Sequence, residues 1–307
     1  MKANRQMSIA LVTVLAPILW GTTYVTITEL LPDGRPLLVA WLRVMPAGLL
    51  LFAVGWWRCR WRPDRREWGR LTLLAMCNFG VFFPLLIIAI YRLPGGVAAS
   101  VGGVQPLLVG LITWTVVGRP MRHLDIAIGI AAAAGVAMVV IRPNAAIDPV
   151  GVVAALKANA SFSAGVVATK RLPAFPDRLA STGIQMLLAA VILLPLALVV
   201  EGPPPAMSAT NVAGFAYLSL IATGIAFVIW FSGIQRLPTQ APPVLGLAAP
   251  LTGATLGWLL LAEDLTIIQI LGFATTISAI TYAATFGSTE TTPIPPPTTI
   301  DQPALRR

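Results

Sequence analysis

A duplication constrains this chain more than anything else in it. Ile90, Arg92, Leu93, Pro94, Gly102, Pro106, Leu107 and Trp114 return as Ile234, Arg236, Leu237, Pro238, Gly246, Pro250, Leu251 and Trp258, each pair 144 residues apart. A chain that repeats half its length without a gap is expected to fold as two copies of one unit. The unit is apolar: 57% of residues are hydrophobic, 11% are charged and the mean hydropathy is +0.82. Soluble domains carry roughly 25% charged residues. The expected medium is therefore lipid, which leaves no room for a soluble catalytic domain.

Charge and reactive residues narrow the classes further. A formal charge of +9 would suit nucleic acid. The cations, however, lie between apolar runs rather than in one patch, so no nucleic-acid partner is expected. Cys59, Cys77 and His123 are the whole supply of cysteine and histidine. They are too few for a disulfide framework, a metal centre or the clustered ligands that a membrane-embedded enzyme would need. No metal and no cofactor is expected. Lys2 and Arg5 precede a long apolar run that lacks a small-residue cleavage site, so it reads as a retained first helix rather than a signal peptide.

Crossing a bilayer takes roughly 20 apolar residues. Ten such runs occur, at about 8–29, 36–56, 69–91, 95–117, 124–141, 150–170, 178–200, 211–234, 239–261 and 265–286. Short connections rich in Pro, Gly or charge separate them. The expected organisation is a first five-helix repeat over 1–143, a second over 144–286, and a disordered cytoplasmic tail over 287–307 that is rich in Thr and Pro. Lys and Arg orient it. Of the 21 cations, Arg35, Arg92 and Arg142 fall on one side, Arg43 and Lys157 fall inside helices, and the remaining sixteen share the side of the N-terminus. The positive-inside rule then places both termini in the cytoplasm. Five helices per copy is an odd number, so the second copy enters the membrane from the opposite side. The expected fold is an all-α membrane protein of ten transmembrane helices, arranged as two inverted repeats. Such repeats enclose a mid-bilayer site and rock about it.

Ionisable groups inside a membrane are functional candidates by default. Arg43 lies seven residues past the outer end of the second run, roughly 11 Å deep, and Lys157 lies at a similar depth in the sixth. Both suit the carboxylate of a substrate. Arg43 could instead pair with Glu29. Lys157 could instead snorkel to the surface or couple transport to protons. Lys157 shares a helix face with Ser161, while Asn159 and Ser163 share another; the Lys157–Ser161 face is expected to line the chamber. Trp20 sits mid-span, where an interfacial anchor role fails, and is expected with Tyr24 to line it or to pack. Asn78 and Gln105 are the neutral polar residues best placed for the chamber, and Trp258 joins them as an aromatic wall. Pro84, Pro106 and Pro250 are expected to kink their helices and free carbonyls for substrate. Small residues four apart, Ala99 with Gly103 and Ala127 with Ala131 and Gly135, allow close packing. That packing is expected chiefly within the monomer, with a homodimer contact as the alternative.

The stretch Trp20-Gly21-Thr22-Thr23-Tyr24, followed by Pro36-Leu37-Leu38 and Arg43, resembles the opening of an EamA-like half. So do the helix from Pro106 to Gly118-Arg119-Pro120 and its echo from Pro250 to Glu263. Over about 8–286 the chain resembles a ten-helix member of the drug/metabolite transporter superfamily. The resemblance implies export of amino acids, other metabolites or drugs across a bacterial inner membrane, and does not specify the cargo. One departure stands out. The family usually has an acid at the end of the fourth helix; Glu263 supplies it in the second half, but Arg119 stands in the first. Either the halves differ at a helix anchor or gate, or Arg119 only adds to the inner positive charge. No G-x-x-x-x-G-K-[ST] loop occurs, so ATP does not drive transport from within this chain. The expectation is a secondary transporter that exports a small organic solute, an amino acid or related metabolite. Multidrug efflux past an aromatic lining of Trp20, Trp114, Trp230 and Trp258 is the alternative.

Overall fold

The computed structural model describes residues 2–93, 98, 101–118, 121–140, 148–238, 241–261 and 266–286. Among them it is helical, without strands. In chain order the segments are α1 (Gln6–Leu30), α2 (Pro36–Cys59), α3 (Arg65–Arg92), α4 (Gln105–Val117), α5 (His123–Val140), α6 (Pro149–Arg171), α7 (Arg178–Val200), α8 (Ala209–Arg236), α9 (Ala248–Leu261) and α10 (Ile267–Phe286). Six of these, α1–α3 and α6–α8, are long and apolar enough to cross a membrane; the other four are shorter apolar helices. The tail over 287–307, Arg119 and Glu263 lie outside the described residues.

Local chemistry sets the helix ends. Asp64 starts α3 with a capping box, accepting from the Arg66 and Glu67 amides at 2.8 and 2.7 Å while Glu67 accepts from the Asp64 amide. Asp148, Asp177 and Ser208 cap α6, α7 and α8 in the same N-terminal position. Glu201, at the end of α7, reaches across to the start of α2 and accepts from the Leu37 and Leu38 amides at 2.6 and 2.9 Å. A carboxylate is favoured there by the unpaired N–H groups of a helix start. After α2 the chain reverses at Arg60 in the left-handed region, with φ of 50°.

Backbone irregularities recur in the register of the duplication. A π turn at Met76–Gly80 in α3 is matched by one at Tyr217–Ile225 in α8, which spans the positions 144 residues on. A 3-10 turn at Gly102–Val104 precedes α4, and a break at Gly246 and Leu247 precedes α9. These breaks change the reading of the prolines. Pro84, Pro106 and Pro250 do not kink regular helices; each stands in the first turn of a helical segment that restarts after a break. Their missing N–H costs nothing in a first turn, because amides there have no intrahelical acceptor.

Equivalent helices of the two halves pack on each other. The most extensive contact joins α2 to α7, and α5 and α10 also pack closely on each other. Both are glycine contacts. A Cβ on Gly48 would meet Met186 and one on Gly55 would meet Ala180, so α2 and α7 run antiparallel. A Cβ on Gly272 would lie 2.6 Å from the Gly135 carbonyl oxygen, and one on Gly135 would lie 3.0 Å from that of Gly272. Gln269 Nε2 donates to the Val139 carbonyl, so α5 and α10 are antiparallel too. A Cβ on Gly103 would press on Ala133 and Val136; Gly103 and Gly135 therefore serve internal packing, whereas Ala127 and Ala131 are exposed. The largest apolar core among the described residues, with Phe79, Phe83, Phe162, Phe227 and Trp230, takes in the α2–α7 contact.

Candidate functional site

A cavity of about 80 Å³ lies where α1, α2, α3, α6 and α8 meet the broken starts of α4 and α9. Its walls are aromatic: Trp20, Phe82, Phe83, Phe162 and Phe227. The Trp20 ring stands 5.7 Å from Phe162, 4.9 Å from Phe227 and 5.0 Å from Trp230 between centroids. These edge and tilted contacts fix the walls in place.

Arg43 reaches this cavity from α2 and is 1% exposed. Its Nε donates to Thr223 Oγ1 at 2.7 Å, and Nη2 donates to Thr23 Oγ1 at 3.2 Å and to the Ala222 carbonyl at 3.4 Å. The guanidinium carbon lies 4.4 Å from the centre of the Phe83 ring. Hydroxyls, a carbonyl and a ring face hold the side chain without cancelling its charge. Glu29, weighed above as its counter-ion, is exposed and takes no part. Arg43 Nη1, Trp20 Nε1 and Gln105 Nε2 are buried and have no hydrogen-bond acceptor among the described residues. All three are N–H donors on residues lining one cavity, and none of the side chains that line it among the described residues is a carboxylate. An unpaired buried donor costs roughly 1–3 kcal/mol, so this cavity favours an occupant that brings acceptor oxygens and a negative charge.

Much of the lining comes from positions equivalent under the duplication. Phe83 and Phe227, Gly102 and Gly246, and Gln105 and Ala249 are each 144 residues apart; Trp20 and Phe162 are 142 apart. Arg43 breaks the pattern. Its counterpart at 142, Gln185, lies outside the cavity, accepts from Asn78 Nδ2 at 3.4 Å and lines a second pocket of about 30 Å³ near the start of α7.

Of the residues expected at the site, Trp20, Tyr24, Arg43, Gln105 and Pro250 line the cavity. Asn78 is fully buried behind it with Oδ1 unpaired. The face of α6 expected to line the chamber turns away from it: Lys157 is exposed, and Ser161 donates to the Cys77 carbonyl at 2.9 Å. Asn159, on the opposite face, lines the cavity instead and donates to the Ala155 carbonyl. The physical reason is packing: α6 turns its Asn159 and Phe162 side towards α3 and α8, leaving Lys157 outside. Pro84 and Pro106 do not line the cavity. Trp114 is exposed and Trp230 is buried behind Trp20. The side chain of Trp258 lies outside the described residues. The phenylalanines of the wall escaped notice in the sequence because an apolar residue in an apolar helix carries no periodic signal. Their one legible mark was the pairing of Phe83 with Phe227 at the repeat distance.

The model of the EamA-like transporter family matches the chain twice, over residues 7–141 and 149–285. Protein PecM of Dickeya dadantii is 36% identical over 273 residues, covering 86% of this chain and 88% of its own. The uncharacterized transporter YwfM of Bacillus subtilis is 27% identical over 268 residues, covering 86% and 90%. The uncharacterized inner membrane transporter YedA of Escherichia coli is 26% identical over 272 residues, covering 86% of both chains. A protein crystal structure superposes with a TM-score of 0.72 at 21% identity, over 91% of this chain and 97% of the other. That last likeness is one of fold.

Proposed function

This chain belongs to the EamA-like transporter family, and from that premise we propose that it is a secondary transporter exporting a small organic anion or zwitterion. An amino acid or a related metabolite fits best. The observation that carries the reading is the aromatic cavity in which Arg43, Trp20 and Gln105 offer N–H donors with no acceptor of their own. A carboxylate answers all of them, and the rings accommodate the rest of the solute.

Transport proceeds by rocking of two inverted five-helix halves, 1–143 and 144–286, about the cavity. Supporting this are the two matches to the family model, the recurrence of π turns and helix breaks in the repeat register, and the antiparallel packing of equivalent helices. The bias of Lys and Arg favours cytoplasmic termini, and a bacterial inner membrane suits the relative YedA of Escherichia coli. Solute exchange or a proton gradient supplies the drive. Multidrug efflux is the second reading, favoured by the six aromatic residues that line the cavity.

Proteoliposome flux separates the two. With the chain reconstituted, Arg43→Gln should slow efflux of amino-acid-like carboxylates about tenfold or more, since a charge-assisted hydrogen bond contributes roughly 1.5–3 kcal/mol, and should spare neutral aromatic compounds. Equal loss of both, with Arg43→Lys restoring neither, would leave Arg43 a purely structural residue and favour the efflux reading.

A further inference from the structure

The loop between α2 and α3, and the groove beside it, take no part in the cavity described above. On the outer surface of α2 and α7 lies an open apolar groove of about 390 Å³, walled by Phe52, Trp56, Leu188 and Val191 and bounded at the loop end by Trp61 and Arg62. The two helices run antiparallel, so the groove leads from the loop towards the middle of the bilayer. From Ile184 to Val191 it covers eight residues, about 10 Å of helix.

The loop end is unusually basic. Arg58, Arg60, Arg62, Arg65 and Arg66 fall within nine residues. The neighbouring acids are already engaged: Asp64 accepts from the Arg66 and Glu67 amides, and Glu67 accepts from the Asp64 amide and pairs with Arg70 at 3.4 Å. None of the five arginines forms an ion pair among the described residues. The Arg62 guanidinium lies 5.4 Å from the Trp56 ring centre, at the mouth of the groove. Trp57 is 82% exposed beside it, the position expected of a tryptophan at headgroup level.

We propose that this groove is a binding site for an anionic glycerophospholipid. One acyl chain lies between α2 and α7, and the phosphate and acidic headgroup rest on Arg62, Arg65 and Arg66. A zwitterionic lipid would fill the apolar wall equally well but would leave the arginines unanswered; an anionic one satisfies both, and clustered basic residues beside a span attract such lipids. The site is independent of the cargo read for the central cavity.

Native mass spectrometry of the full chain tests it, with release from nanodiscs of dioleoylphosphatidylcholine holding a minor share of dioleoylphosphatidylglycerol. The phosphatidylglycerol retained on the protein should exceed its share of the bilayer several-fold. The combined change Arg62→Gln, Arg65→Gln and Arg66→Gln should bring it down to that share. Leu188→Trp, which fills the groove and leaves the charges alone, should do the same without lowering the thermal unfolding midpoint; Val191→Phe is the milder filling if it does. Retention at the bilayer share in the unaltered protein overturns the site. Enrichment that survives both groove fillings and disappears only with the arginines overturns it as well, leaving a diffuse surface attraction in its place.

Discussion

Trp20 shows how little of a site one residue discloses. Its mid-span position made an interfacial anchor untenable, but only the surrounding rings reveal that the indole forms a wall and that its Nε1 lacks an acceptor. We predict that Trp20→Phe, which keeps a ring and removes the donor, raises the half-saturating concentration of a carboxylate cargo about two- to tenfold, the worth of about 0.5–1.5 kcal/mol for one hydrogen bond. Unchanged half-saturation would show that the donor does not meet the solute. Asp148 is a second case. It accepts from the Val150 amide at 2.8 Å and pairs with Arg92 at 3.0 Å, and its bond to Arg92 holds the carboxyl below the usual carboxylate range. A carboxyl with a depressed folded pKa contributes stability above its unfolded value, near 3.9, and loses that contribution as pH falls through the lower folded value. The thermal unfolding midpoint should therefore fall on acidification below about pH 4. Asp148→Asn should flatten that part of the profile, and an identical acid slope in the variant would dismiss the pair as a stabilising contact.

At the level of elements, the ten apolar runs in the sequence correspond, among the described residues, to six long helices and four shorter ones. What the runs could not reveal was where a helix stops and restarts. Gly102 to Val104 and Gly246 with Leu247 are as apolar as their flanks, so hydropathy passes straight over both breaks. The choice between the two faces of α6 failed for a related reason. Lys157 is the more conspicuous residue, but conspicuous charge marks a costly position, not the direction of the chamber, and neighbouring helices decide that. The glycines of α5 and α10 have a testable role. Gly272→Ala would set a Cβ 2.6 Å from the Gly135 carbonyl oxygen, and overpacking of this kind costs typically 1–3 kcal/mol. We expect a lower unfolding midpoint for Gly272→Ala. Gly69→Ala, with nothing within 4 Å of the new Cβ, should hold or raise it, since alanine favours a helix interior over glycine. Equal midpoints would mean that the α5–α10 contact yields freely.

The whole molecule turns on the relation between its halves. The duplication was fully legible in the sequence, and the parity argument drew an inverted arrangement from it; antiparallel contacts between equivalent helices support the same arrangement. It predicts that residues 144 apart face opposite sides of the membrane. With Cys59 and Cys77 replaced, Arg92→Cys and Arg236→Cys should react with a membrane-impermeant maleimide from opposite sides of inside-out and right-side-out vesicles. Labelling of both from one side would dismantle the rocking scheme. The lone guanidinium of Arg43, whose counterpart Gln185 stays outside the cavity, gives the halves unequal duties. A carrier that exchanged perfectly matched halves would present the same grip to its cargo on either side. With the cargo gripped by Arg43 as proposed, the strongest handle lies in one half, so uptake and release should saturate at different cargo concentrations, even where no gradient is present to give the cycle a net direction.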